Sequence, residues 1–120
     1  MKEYIPHISN KDINRLILRE FDSKLKDQVY KILNKYISDS ESGRNRVWAA
    51  IIKLSVSSIS ELEKNTEKAI IDFRDVIAYA EYPGLSDESL NYFELKDGKI
   101  KKEIIKSDKK QYLKWLDKNA

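Results

Sequence analysis

Three glycines and two prolines are all that 120 positions offer for left-handed turns or a locked φ, and this scarcity constrains the fold more than any other feature. An all-β chain needs turn residues roughly every 8–12 positions to reverse its strands. Helices need few such residues and accommodate the Lys, Glu, Leu and Ile that dominate here. The expected class is therefore all-α.

Hydrophobic spacing divides the chain into helices. Ser9 or Asn10 can cap a first helix with Ile13, Leu16, Ile17 and Phe21 on one face, ending near Asp22. A second, over about 23–38, gathers Leu25, Val29, Ile32, Leu33, Tyr36 and Ile37. After a loop from Asp39 to Gly43, the segment 44–56 is the most apolar, with Val47, Trp48, Ile51, Ile52 and Leu54 around a wide arc and Ala49 and Ala50 permitting close approach. It is expected to be the central helix. Ser58 and Glu61 have the form of a capping box opening a fourth helix. Its apolar face is Ile59, Leu62, Ala69, Ile70, Phe73, Val76, Ile77 and Ala80, and Pro83-Gly84 ends it.

Beyond Gly84 two readings compete. Asn91 to Leu95 followed by Asp97-Gly98 could form a hairpin through Ile105, or a loop could lead into one helix over about 99–118. The helix is preferred because Ile100, Ile104, Tyr112, Trp115 and Leu116 share one half of a helical wheel, whereas a hairpin would put lysines on both faces. The expectation is one domain over 1–120, a bundle of about five helices, with a short hairpin or irregular segment near 91–105 as the alternative.

Apolar residues are 41% and charged residues 36% of the chain, enough to fill one core under a heavily charged surface. The absence of cysteine excludes disulfides, thiolate metal sites and thiol nucleophiles. No apolar run approaches the length of a membrane span, and the opening residues lack a secretory pattern, so a cytoplasmic protein without a membrane partner is expected. The net charge of +3 is unevenly spread: residues 1–58 carry 11 basic and 7 acidic side chains, 59–95 carry 3 and 9, and 96–118 carry 9 and 4. Self-neutralisation within the fold is favoured over nucleic-acid binding, because lysine far outnumbers arginine in the tail and exposed aromatics are few.

Chemistry-bearing patterns are sparse. His7, the single histidine, follows Pro6 in a terminal arm and has no orienting carboxylate nearby in sequence. The serines at 55, 57, 58 and 60 lack a nucleophile elbow and read as helix terminators and caps. Gly43, Gly84 and Gly98 stand alone, which excludes a glycine-rich phosphate loop, and no cofactor is expected. Carboxylates one turn apart, Glu63 with Glu67 and Asp72 with Asp75, are candidate metal ligands of the kind found in helical-bundle phosphohydrolases that use a divalent cation. A solvated, salt-bridged helix face is the preferred reading of the same residues. Arg74 borders the apolar stripe of the fourth helix and Asp108 falls within the apolar arc of the last, so the two are expected to meet as a partly buried ion pair. Tyr79, Tyr82, Tyr92, Phe93, Tyr112 and Trp115 concentrate aromatics in the second half, either as core and core rim, the favoured reading, or as an interaction surface.

Arg46-Val-Trp-Ala-Ala-Ile-Ile-Lys-Leu-Ser55, Asp72-Phe-Arg-Asp-Val-Ile-Ala-Tyr-Ala-Glu-Tyr-Pro83 and Asp108-Lys-Lys-Gln-Tyr-Leu-Lys-Trp-Leu116 resemble, in order and spacing, segments of a family of short bacterial proteins of unknown function. Together they span most of 44–116, while the first 40 residues match only as amphipathic helical sequence. After Leu54 this chain has Ser-Val-Ser-Ser where the family pattern is similar to Gly-Gly-Asp or Gly-Asp, and residues 85–105 are individual to it. The resemblance implies a bacterial, helical, intracellular protein and brings no catalytic role to any residue. The functional expectation is a non-catalytic interaction or accessory protein with a protein partner, acting through the acidic fourth helix or the aromatic C-terminal surface. The alternatives are the metal-dependent phosphohydrolase and, more weakly, nucleic-acid binding by the lysine-rich last helix.

Overall fold

Ser9 starts the first helix, and it does so with a reciprocal cap. In the computed structural model, which describes residues 7–84 and 98–118, the backbone N–H of Asp12 donates to Ser9 Oγ at 3.1 Å and that of Ser9 donates to Asp12 Oδ2 at 3.0 Å. Helix α1, Asn10–Glu20, buries Ile13, Leu16 and Ile17 as the spacing requires and stops when Phe21 turns extended. The expected helix over 23–38 is shorter. Ser23–Leu25 form a single 3-10 turn capped by Asp22, and α2 covers only Lys26–Leu33. Asn34 ends it by donating its side-chain amide back to the Tyr30 carbonyl, after which Lys35 and Tyr36 make tighter bonds to residues three back.

Helix α3, Glu41–Ser55, begins earlier than expected because Ser40 accepts the N–H of Gly43, which draws Gly43 into the first turn. Every residue from Val47 to Ile52 is buried, so α3 is the central helix. It packs against α1 and, most extensively, against α4, Ile59–Glu81. The connection between them is strained: Val56 and Ser57 are both left-handed, at φ 47° and 63°, with no glycine to relieve them. Only half of the expected capping box forms at the start of α4. Ser58 Oγ accepts the Glu61 N–H, but the Ser58 N–H donates to the Ser55 carbonyl and the Glu61 carboxylate turns to Lys64 at 3.5 Å.

The last segment is helical, as preferred: α5 runs Gly98–Asp117, and the hairpin reading fails over 98–105, while 91–97 lie outside the described residues. Asp108, Tyr112 and Leu116, successive turns on one face, are buried. Two arginines of α1 fasten its end. Arg15 donates to the Leu116 carbonyl at 2.6 Å, and Arg19 donates to the carbonyls of Trp115 and Lys118, both at 2.7 Å, while lying over the Trp115 ring. These guanidinium groups satisfy carbonyls that a helix end leaves without internal partners, at its electronegative pole. The described residues thus form an all-α bundle of five helices without a strand. Among them no helix is long and apolar enough to cross a membrane.

Candidate functional site

The functional geometry originates in a defect of α4. Asp72 adopts φ −156° and ψ 98°, an extended conformation inside the helix, so residues 59–71 and 73–81 are two helical pieces. Its carboxylate caps the second piece by accepting the Arg74 N–H at 3.1 Å, and the Arg74 guanidinium clasps the same carboxylate at 3.0 and 3.1 Å. Asp is a residue whose side chain competes for local backbone donors, which is how it supports a break that Leu or Ala would not.

The break takes Phe73 out of the apolar stripe. On a continuous helical wheel Phe73 lies about 20° from Leu62 and Ala80, which coincide, and so within the buried arc. Instead Phe73 is 44% exposed, Ile70 is also exposed, and Ile71 stands out at 86%, whereas Leu62, Ala69, Val76 and Ala80 are buried. The expectation that Ile70 and Phe73 would face the core is corrected accordingly. Ile37, just after α2, joins them at the mouth of a groove of about 620 Å³ that also holds Tyr36 and Asp72. A second groove, of about 660 Å³, runs along the other side of α4, with Leu54, Ile71, Val76 and Tyr79 giving apolar lining and Glu61 and Asp75 acidic lining. Ile71 and Asp72 border both. An exposed apolar cluster rimmed by charges is the usual character of a contact surface.

The carboxylates proposed as metal ligands separate. Asp72 and Asp75 line the second groove, whereas Glu63 and Glu67 are exposed and do not line it. Among the described residues no three carboxylates or histidines come together at metal-holding distances. Hydrogen bonds from the Arg74 side chain and backbone hold the Asp72 carboxyl below its usual range. His7 is exposed, with Nδ1 3.3 Å from Ser42 Oγ.

The expected Arg74–Asp108 ion pair is replaced by other contacts. Arg74 closes on Asp72, its neighbour two residues away, and Asp108, buried as expected, accepts the backbone N–H of Gly84 at 2.9 Å. A Cβ on Gly84 would sit 2.7 Å from that carboxylate oxygen, so only glycine allows this approach. Among the described residues the long-range ion pair lies elsewhere: Arg46 of α3 grips the fully buried Glu81 with Nε–Oε2 at 2.8 Å and Nη2–Oε1 at 2.7 Å. The paired geometry is the strong form of an arginine–carboxylate bond. Sequence reasoning missed this pair, although Glu81 follows Ala80 at the edge of the buried arc. Around it Gln111 of α5 donates to the Ala80 carbonyl at 3.3 Å, Lys53 lies 5.9 Å from the Tyr112 ring centre, and the Tyr112 hydroxyl is buried with no hydrogen-bond partner among the described residues. Burial raises the Tyr112 phenol well above its ordinary range and lowers Lys53, with Asp108 opposing the latter.

The six aromatics divide. Tyr112 is core and stacks on half-buried Trp115 at 5.7 Å, Tyr82 is half-buried, and Tyr79 alone is largely exposed and lines a groove. Tyr92 and Phe93 lie outside the described residues. Thus the aromatic set does not form one surface among the described residues; the exposed apolar surface centres on the α4 break. No family model, curated protein or solved structure matches the chain.

Proposed function

We propose that this chain is a non-catalytic interaction or accessory protein of the bacterial cytoplasm, and that the surface around the α4 break is where it meets a protein partner. One observation carries the reading: Ile37, Ile70, Ile71 and Phe73 share a groove and remain exposed in a chain whose core is otherwise well filled. Exposed aliphatic and aromatic side chains are costly to solubility, and a contiguous group of them at a helix break is retained where a partner covers it. The scaffold supports the same reading for three of the four, since Ile70, Ile71 and Phe73 are presented by α4, which packs against the central α3, while Ile37 comes from the segment after α2.

The test compares affinity purification from the native host using the wild-type chain and the Ile70→Ser/Ile71→Ser/Phe73→Ser variant, with circular dichroism to verify that both are folded. The expected result is a protein retained by the wild type and lost by the variant. Identical retained sets from two folded baits would contradict the proposal.

A further inference from the structure

The apolar side chains exposed at the α4 break have the features of a surface that meets itself. Ile37 and Ile71 are each 86% exposed, and both line the groove of about 620 Å³ that Ile70 and Phe73 also line. Protruding aliphatic side chains and a recess to receive them therefore belong to one patch. A two-fold contact requires that combination, because each copy offers the same patch to the other. At these exposures the four side chains leave roughly 500 Å² per copy, and a two-fold contact uses the patch twice, removing about 1,000 Å² from water, the lower limit of a specific interface.

The charges on the same groove also fit a second copy. Asp39 is exposed and has no ion-pair partner among the described residues. Arg74 is 79% exposed and clasped by Asp72, two residues away. Asp39 and Arg74 line one groove without bonding to each other. An unpaired anion and a reachable arginine on a self-facing patch can form two equivalent pairs between copies, which a two-fold axis generates together.

We propose that the surface at the α4 break is a homodimer contact, in which Ile37 and Ile71 of each copy enter the groove of the other and Asp39 of each pairs with Arg74 of the other. The proposal rests on the interaction reading above and names the partner as a second copy of this chain.

The experiment is sedimentation equilibrium of the full chain over a wide range of concentration, with circular dichroism to verify that each variant is folded. The wild type is expected to dimerise reversibly. Ile71→Ser, at an exposed position, is expected to weaken the dimer roughly a hundredfold, since each copy loses a side chain that the contact buries. Asp39→Arg and Arg74→Asp each set like charges opposite one another and are each expected to weaken it about tenfold. An equimolar mixture of these two variants is expected to dimerise as the wild type does, because one cross-copy pair is then native and the other has its signs exchanged. A chain that stays monomeric throughout would overturn the proposal, while a different protein captured through Ile70, Ile71 and Phe73 in the host purification would keep the interaction reading. A dimer indifferent to Ile71→Ser, or a mixture that fails to recover, would also overturn it.

Discussion

Two arginine–carboxylate pairs hold the two ends of the second piece of α4, and they differ in reach and in burial. Arg46–Glu81 joins residues 35 apart in sequence, fastens the end of α4 to the central helix, and buries its carboxylate completely, with Arg46 47% exposed. Arg74–Asp72 joins residues two apart on an open surface and fastens a helix break to itself. Both are two-pronged. The first decides where the helix goes, because an unpaired carboxylate in a closed interior is strongly unfavourable. The second decides only how the break is capped, because water can replace either partner.

Five substitutions break or sharpen that contrast. Arg46→Met strands the Glu81 carboxylate and is expected to cost roughly 3–5 kcal/mol in urea unfolding. Glu81→Gln leaves a guanidinium that can still reach water and should cost less, about 1–3 kcal/mol; equal losses from the two would contradict the asymmetry. Next comes Phe73→Ala, which probes the break itself. A half-exposed ring should cost about 1 kcal/mol or less, whereas a ring at the centre of an unbroken buried stripe would cost roughly 3–5 kcal/mol.

The Ser9–Asp12 cap is a local contact like Arg74–Asp72, but part-buried, and should rank between the two arginine pairs. Asp12→Ala is expected to cost about 0.5–1 kcal/mol at neutral pH. Asp12 also links stability to acid. The Ser9 backbone N–H, followed in effect by the Ser9 hydroxyl and Arg15, holds the Asp12 carboxyl below its ordinary value against a smaller opposing effect of burial. A depressed folded value means the stabilisation is present above the ordinary range near pH 4 and is lost as pH falls through the folded value. The penalty for Asp12→Ala should therefore shrink on acidification below about pH 4, as read from urea midpoints at a series of pH values. Smallest of all, Arg74→Ala should leave the midpoint unmoved, and a clear loss would show that the exposed pair carries more than a cap.

How much of this was legible in the sequence depended on the range of the interaction. The central place of α3 followed from the run Val47 to Ile52, and the limits of α4 from Ser58 and Pro83, because apolar spacing and caps are local signals. The burial of Asp108 was legible from its place in an apolar arc, but its partner was not, since a backbone N–H at Gly84 leaves no side-chain mark in the sequence. Arg46 and Glu81 each read as one more charge on its own helix; their pairing required knowing how α3 and α4 align. The break at Asp72 was hidden for the opposite reason. An aspartate between Ile71 and Phe73 fits a continuous amphipathic helix, and Leu62, Ala69, Val76 and Ala80 would share one face of it, so the sequence pattern holds no mark of the break that the Asp72 backbone and the exposed Phe73 show.

The break is what turns Phe73 outward beside Ile70 and Ile71, and so it completes the interaction surface. The most direct measurement is the set of backbone carbon chemical shifts over residues 68–76 in solution. A broken α4 predicts helical shifts on either side with an extended-type value at Asp72. An uninterrupted helical run through Asp72 would contradict it and return Phe73 to the core.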